Sequence, residues 1–140
     1  MNIDTSTDFG QRVTRRLQEE RIVWLTTVRA DGRPEPSPVW FHWDGETILI
    51  FSQPDTVKTR NIAARPNVSL NLNSDYYGGD VVIIAGEARI IPDVRAADAF
   101  PALVEKYREN LDNPDSVSTE QFTTEYSVAI QITPTRLRGF

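Results

Sequence analysis

Residues 22–52 read IVWLTTVRADGRPEPSPVWFHWDGETILIFS, and their pattern predicts three consecutive β-strands. Ile22 to Val28 is β-branched and aromatic, Ser37 to Trp43 alternates between two faces, and Thr47 to Ser52 is mainly apolar. The dipeptides Asp31-Gly32 and Asp44-Gly45, which separate these segments, are typical of tight hairpin turns. We therefore expect an antiparallel meander of three strands.

The middle strand of this stretch presents different side chains on its two faces. Val39, Phe41 and Trp43 share one face, and Trp40 and His42 share the other. Trp40 is therefore placed to line a pocket or a seam between subunits. His42 is a candidate proton donor because histidine titrates near neutrality, but we interpret it as a partly exposed structural residue.

Three further strands are expected in the rest of the chain. They are Val68 to Leu72, Val81 to Ile91 and Tyr126 to Thr133, the last followed by a tail from residue 134 to 140. Gly86 within the longest strand predicts a bulge or a bend. About six antiparallel strands must protect their edges, and closing the sheet into a barrel is the usual solution.

Short helices are predicted between the strands. Phe9, Val13 and Leu17 recur at four-residue spacing, which indicates an amphipathic helix capped by Thr7 or Asp8. We interpret the arginines of this helix as a solvated face.

Two more helical regions follow from the same kind of pattern. Thr56 to Arg65 is expected to be a short helix, and Thr119 to Glu125 a helical turn. The apolar stripe from Ala97 to Leu111 predicts a longer helix, with Asp93 as its cap and Pro101 dividing it into two pieces.

Composition removes several classes of function. The 140 residues fit one domain, residues 1–140, and a net charge of −5 disfavours nucleic acid as a partner. With no cysteine and with His42 as the single histidine, the usual zinc ligand sets and thiolate chemistry are excluded. No apolar run approaches the length of a membrane span, and the polar N-terminus does not resemble a signal peptide, so we expect a cytoplasmic protein. Difficult chemistry would have to come from a cofactor.

The segment from Phe51 to Asn61 is the best candidate for binding an anion. A strand ends at Ser52, a Pro-Asp turn follows, and a short helix then opens with Lys58 and Arg60. The start of a helix offers backbone N–H groups and a favourable dipole, and lysine and arginine add charge suited to phosphate. Taken alone, the same residues also fit two solvated cations on a surface helix.

The order of four motifs resembles a known family. Trp24 to Gly32, Pro36 to Phe41, Ile50 to Ser52 and Lys58 to Ile62 together resemble the pyridoxamine-phosphate-oxidase-like split-barrel superfamily. The resemblance is strongest to the B group of actinobacterial flavin/deazaflavin oxidoreductases. It implies a mainly β protein with short helices, a split β-barrel of the FMN-binding type, and a homodimer with two cofactor sites at the subunit interface.

The resemblance also implies roles for individual residues. Lys58 and Arg60 would hold the cofactor phosphate, and the strand at Pro38, Val39 and Trp40 would run beside the ring system. The remaining expected contacts are Ser52, Gln53 and Asn61 with phosphate or ring, and Tyr77, Gly79 and Arg138 contributed by the partner subunit.

One departure from the family bears on the choice of cofactor. The pyridoxamine phosphate oxidases proper carry an arginine and a lysine on the second strand, whereas Ser37 to Trp43 has no cation. This difference argues against tight FMN binding and against vitamin B6 oxidation, and it favours coenzyme F420. We expect hydride transfer from reduced F420 to a small acceptor such as an activated double bond, with the proton from a tyrosine, His42 or water. The alternatives are an FMN-dependent oxidase or reductase, and a non-catalytic carrier of flavin, deazaflavin or haem.

Overall fold

The structure, a computed structural model, describes residues 1–92 and 99–140. Its strands and helices alternate along the chain. They are α1 (Asp8–Glu19), β1 (Val23–Val28), β2 (Pro34–Val39), β3 (His42–Trp43), β4 (Ile48–Ser52), α2 (Val57–Ala64), β5 (Asn67–Leu72), β6 (Val82–Ile91), α3 (Ala99–Lys106), α4 (Arg108–Asp112), α5 (Thr119–Glu125) and β7 (Val128–Gly139).

The seven strands form one antiparallel sheet in the order β2-β1-β5-β6-β7-β4-β3. The first and last strands of this order are joined by only Trp40 and Phe41. Three Cα–Cα steps therefore separate Val39 from His42, so these residues are at most about 11 Å apart. The sheet must curl until its two ends meet, which confirms the expected mainly β barrel with short helices.

The two Asp-Gly hairpins are confirmed, but the expected meander is wrong. The middle strand breaks after Val39, so that β2 pairs with β1 at one end of the sheet and β3 pairs with β4 at the other. At the break, the N–H of Phe41 donates to the Tyr107 hydroxyl at 3.0 Å. A distant side chain thus takes the hydrogen bond that would have continued the strand, and the count rises from about six strands to seven.

Prolines keep the barrel open along β2. Pro34, Pro36 and Pro38 occupy alternate positions and lie opposite Val28, Thr26 and Trp24 of β1. Because proline has no N–H, the ladder to β1 must use the intervening residues, and the prolines take the positions whose N–H would point away from β1. The outer edge of β2 therefore has no donor at these positions with which to close against β3, and the barrel is split there.

Helix α1 lies over the barrel interior. Val13 and Leu17 are fully buried and pack with core residues of the sheet such as Leu25 and Ile50. Thr7 caps the helix by accepting the N–H of Gly10 at 3.0 Å. The amphipathic stripe and its cap are therefore confirmed.

The solvated-arginine interpretation of α1 holds only in part. Arg15 is exposed, but Arg16 is 7% exposed and pairs with Glu20 at 2.9 Å. Arg16 lies three residues from Val13 and borders the apolar stripe, which is why it is carried into the fold.

A second hydrophobic cluster lies on the outside of the barrel, where α3 to α5 cover β4 and β7. Leu49, Phe51 and Ala129 of the sheet pack there against Leu103 and Phe122 of the helices. The outer face of β2, β1, β5 and β6 carries the alternating residues that point away from the core.

The helices match the predicted ones with one correction. Helices α2 and α5 are confirmed, with Thr56 and Ser118 as their caps. The long stripe is divided at Tyr107, between α3 and α4, whereas Pro101 lies within α3 and does not divide it. The predicted cap Asp93 lies outside the described residues.

Strands β6 and β7 form the longest pairing in the sheet. The register shifts between Ala85, opposite Arg136, and Gly86, opposite Pro134, so that Thr135 is the extra residue. The irregularity expected at Gly86 is confirmed. The expected tail is wrong, since β7 continues to Gly139 because the far half of β6 pairs with it.

Candidate functional site

An aromatic cavity of about 280 Å³ lies beside the split edge of the barrel, where β2 ends. The strand side is formed by β2 and β4, and the helical side by α5 and the loop before it. The lining residues are Pro38, Val39, Trp40, Phe51, Lys58, Val117, Phe122 and Tyr126.

Stacked aromatic rings fix one wall of this cavity. Trp40 lies parallel to Tyr107, with ring centroids 4.5 Å apart and an interplanar angle of 8°. Phe122 packs against Trp40 at 5.5 Å and against Phe51 at 6.3 Å, edge-on in the second case. Interlocked aromatic pairs of this kind form a rigid, apolar wall suited to a flat ligand.

Lys58 is the one cation among the described residues that line the cavity. It lies in the first turn of α2 and is half-buried, and this burial lowers the pKa of its ammonium group. Among the described residues, no acceptor lies within hydrogen-bond or ion-pair distance of its Nζ. A desolvated cation without a counter-ion favours an anionic ligand.

Lys58 also lines a smaller cavity of about 120 Å³, whose wall has both polar and apolar residues. The hydroxyl-bearing residues Thr27, Ser37 and Thr56 contribute to its wall. Glu35 lines it too, but its carboxylate is paired with Arg29. Lys58 is thus the junction between an aromatic space and a space lined by hydroxyls.

Arg60 is not brought to the same cavities. Its side chain is exposed and its guanidinium donates to the carbonyl of Asp55, in the turn before α2. Residues two apart on a helix point in different directions, which explains why Lys58 and Arg60 separate.

Three other expected contacts support the local structure. Ser52 is buried and its hydroxyl donates to the carbonyl of Gln53 at 2.9 Å. Asn61 is buried, and its Nδ2 donates to Thr27 Oγ1 at 3.0 Å, tying α2 to β1. Gln53 is exposed, with its Nε2 3.4 Å from Glu125 Oε2.

The residues expected from the partner subunit lie elsewhere on the chain. Tyr77 is 92% exposed in the loop after β5, and Gly79 follows in the same loop. Arg138 lines a cavity of about 430 Å³ on the outer face of the sheet, together with Asn73 and Ser74 of that loop. The structure therefore brings Arg138 to this loop, and the cavity they share has no lining residue in common with those at Lys58.

His42 lies outside the aromatic cavity. It is half-buried in β3, and burial lowers the pKa of its imidazole. The structural interpretation fits this position.

The helical residues that form part of the site were not predicted from the sequence. Phe122 and Tyr126 are spaced four residues apart, which indicates a helical face but says nothing about what that face covers. Tyr107 belonged to a recognised stripe, yet its contact with Trp40 spans 67 positions and had no local signal. Lys106, next to it, places its Nζ 3.8 Å from the Phe41 ring centroid, and burial lowers its pKa to about 8.

Within residues 1–92 and 99–140, no three His, Cys, Asp or Glu side chains are grouped as metal ligands. Across the same residues, every helix is too short or too polar to span a lipid bilayer.

Comparison with solved structures gives several proteins of the same fold. An F420 reductase is 27% identical, with a TM-score of 0.69, and the match covers 89% of this chain and 94% of that one. The heme storage protein HutZ from Vibrio cholerae is 16% identical, with a TM-score of 0.72, covering 99% and 95%. A FAD-binding protein from Mesorhizobium loti is 19% identical, with a TM-score of 0.65, covering 91% and 88%. The last two likenesses concern the fold alone.

The family comparison is more decisive, because it covers almost the whole sequence. Residues 9–139 match the family described as pyridoxamine 5'-phosphate oxidase. The match includes every strand of the sheet, both cavities at Lys58 and the loop before β6. The chain belongs to the pyridoxamine 5'-phosphate oxidase family.

Proposed function

We propose that this protein is an oxidoreductase that uses coenzyme F420 to reduce a small organic acceptor. The observation that carries the proposal is the position of Lys58, a half-buried cation with no partner in the described part of the chain, between an aromatic cavity and a hydroxyl-lined one. A molecule with a flat ring at one end and a phosphate further along matches both spaces.

The residues present fit such a cofactor. Pro38, Val39 and Trp40 form a strand-like wall along which a ring can lie, backed by the Trp40–Tyr107 stack. Lys58 supplies a charge for the phosphate, and Ser37 and Thr56 supply hydroxyl groups beside it. The exposed Arg60, on the Asp55 carbonyl, can reach the phosphate only after releasing that contact.

A second copy of the chain completes the site in this proposal. A cavity of about 280 Å³ is at the lower limit for ligand pockets and holds a ring system better than a whole cofactor. The rest of the cofactor must lie against another surface. We propose a homodimer in which the partner contributes Tyr77, Gly79 and Arg138.

F420 is preferred over FMN for two reasons. Strand β2 carries no cation between Pro34 and Val39, so among the described residues Lys58 is the cation that lines the two cavities. The F420 reductase is also the most nearly identical of the three structures compared above.

When bound in its reduced form, F420 supplies a hydride for an activated double bond. The protein's share is to bind, to orient and to exclude water. Lys58 anchors the phosphate, and the aromatic wall excludes water from the ring. Tyr126 lines the aromatic cavity and is the tyrosine placed to provide the proton that must follow.

Titration of the purified protein with F420 and with FMN tests this proposal. We expect F420 to bind more tightly than about 100 μM, or roughly −5.5 kcal/mol, and to bind more tightly than FMN. Replacing both Lys58 and Arg60 by alanine should weaken binding by at least about 2 kcal/mol, because charge-assisted hydrogen bonds are lost. Unchanged affinity in a folded double variant would refute the assigned site.

Turnover separates an enzyme from a carrier. Reduced F420 should be oxidised when the protein is mixed with a panel of enones and quinones. Tight F420 binding without oxidation by any acceptor in the panel would favour a carrier.

A further inference from the structure

The loop of residues 73–80, between β5 and β6, carries two exposed aromatic side chains. Tyr76 is 93% exposed and Tyr77 is 92% exposed, and their rings meet edge to face with centroids 5.1 Å apart. Aromatic side chains that remain in solvent together usually mark a contact surface.

The tip of this loop is held by its own hydrogen bonds. The Asp75 carboxylate accepts the N–H of Tyr77 at 2.9 Å and that of Gly79 at 2.7 Å. The backbone of Asp75 closes the turn by donating to the Gly79 carbonyl at 2.9 Å and by accepting the Gly78 N–H at 3.1 Å. Gly78 has a φ of 81°, which favours glycine. The tyrosines therefore stand on a preformed turn.

The base of the loop is held by Arg16 of α1. One terminal nitrogen of the guanidinium donates to the Asn73 carbonyl and the other to the Asp80 carbonyl, each at 2.5 Å. These two carbonyls are the first and last of the loop. The remaining N–H pairs with Glu20 at 2.9 Å, so the charge is compensated inside the fold.

Burying the Arg16 side chain costs free energy, and its effect is to give the loop a defined position. An arginine that is 7% exposed loses its hydration and its side-chain freedom, and its hydrogen bonds to the two ends of the loop offset this cost. Arg16 is also 57 residues from Asn73 in sequence, so it fixes the loop relative to the barrel and not only to itself.

We infer that Arg16 is a positioning residue that sets the Tyr76–Tyr77 loop for contact with the cofactor site of a second copy of the chain. This inference rests on the proposed function, because it assumes that a cofactor binds at Lys58 and that the partner completes the site. Arg16 does not touch the cofactor in this scheme. It acts by holding the loop in the position needed for contact, and this preorganisation lowers the conformational cost of binding.

The first test needs no cofactor. Amide hydrogen exchange is measured on the free protein in Arg16→Lys and in the control Arg15→Lys, which changes an exposed neighbour on the same helix. Lysine has one nitrogen in place of the three that reach Asn73, Asp80 and Glu20, so Arg16→Lys should loosen the loop. The amides of Tyr77 and Gly79 should exchange at least tenfold faster in Arg16→Lys, and at the natural rate in the control. Equal exchange in both variants would overturn the inference.

The second test uses F420 affinity in a double-mutant cycle. Arg16→Lys should raise the Kd for F420 at least fivefold in the natural sequence, and less than twofold when Tyr76 and Tyr77 are both alanine. A purely structural role would give the same factor in both backgrounds, which would overturn the inference. If Arg16→Lys does not fold, Arg16→Gln replaces it in both tests.

The outcomes also separate this inference from the proposed function. If Lys58→Ala loses F420 while the tyrosine double variant keeps the natural affinity, the loop is outside the site. The inference and the proposed contact of Tyr77 then fail, and the site at Lys58 stands. If Lys58→Ala binds F420 as the natural protein does, the proposed site fails and the inference falls with it.

Discussion

Trp40 and Tyr107 are joined twice, once through their rings and once through the backbone beside Trp40. The rings stack at 4.5 Å, and the Tyr107 hydroxyl accepts the N–H of Phe41 at 3.0 Å while donating to the Arg21 carbonyl at 2.7 Å. One tyrosine therefore ends strand β2 and also fixes the wall of the aromatic cavity. The break in the sheet and the shape of the site have the same cause.

Tyr107→Phe should separate these two roles. The ring stack remains, but the N–H of Phe41 is left buried without a partner, which costs about 1–3 kcal/mol. We expect the melting temperature to fall by about 5 °C, with F420 affinity changed less than twofold at temperatures where the protein is folded. Tyr76→Phe, at an exposed ring, is the control and should melt as the natural protein does. A Tyr107→Phe variant of undiminished stability would show that the hydroxyl is not needed.

Lys58 and Arg60 should contribute unequally to cofactor binding. Lys58 lines both cavities, whereas Arg60 is exposed and engaged with the Asp55 carbonyl. Lys58→Ala should therefore weaken F420 binding at least tenfold, and Arg60→Ala by no more than threefold, as measured by fluorescence titration. The reverse order would assign the phosphate to Arg60.

Lys106 should make stability rise with pH in the alkaline range. Burial, with Arg21 nearby, lowers its pKa to about 8, although the ring and carbonyl of Phe41 favour the ammonium form. In the unfolded chain the pKa is about 10.4. Between these two values the unfolded chain holds a proton that the folded chain has released, so raising the pH favours folding.

The measurement is urea denaturation of the natural protein and of Lys106→Met at pH 7.5 and 9.5. The natural protein should gain stability relative to the variant at the higher pH. If the difference in free energy of unfolding between the two proteins is the same at pH 7.5 and 9.5, the ammonium group keeps its charge at pH 9.5.

A charge on the outer face of the sheet should separate the proposed dimer. Ala85 is exposed on β6, on the face that carries Arg136 and Arg138 of β7. Ala85→Arg should yield a monomer by light scattering at about 10 μM and should weaken F420 binding, because the partner's residues are removed. Ala63→Arg, on the exposed side of α2, should leave the mass and the affinity unchanged. A natural protein that is already monomeric at this concentration would remove the shared-site proposal.

Local patterns were enough to predict much of the sheet. The alternation at Val39, Trp40 and Phe41 assigned each side chain to the side of the strand where it lies, with Val39 and Phe41 in the barrel core and Trp40 with the helices. The Asp-Gly turns, Gly86 and the cap at Thr7 were equally local. Each of these features depends on residues a few positions apart.

The misplaced features depend on contacts between distant residues. The strand break needs Tyr107, the extension of β7 needs the far half of β6, and the burial of Arg16 needs the carbonyls of Asn73 and Asp80. The direction of the Arg60 side chain depends on the turn at Asp55, whose φ is 57°. The first three features join residues far apart in sequence, whereas Arg60 and Asp55 are only five positions apart and their contact depends on the backbone conformation of the turn.

The prolines of β2 also bear on how the chain avoids misassembly. A strand at the end of a sheet can act as a template on which another chain adds, and this is a common start of aggregation. Pro34, Pro36 and Pro38 leave the free edge of β2 with carbonyl acceptors but without alternating amide donors, so an incoming strand finds only half of a ladder. The protein can thus keep an open barrel without offering a full template for the addition of further chains.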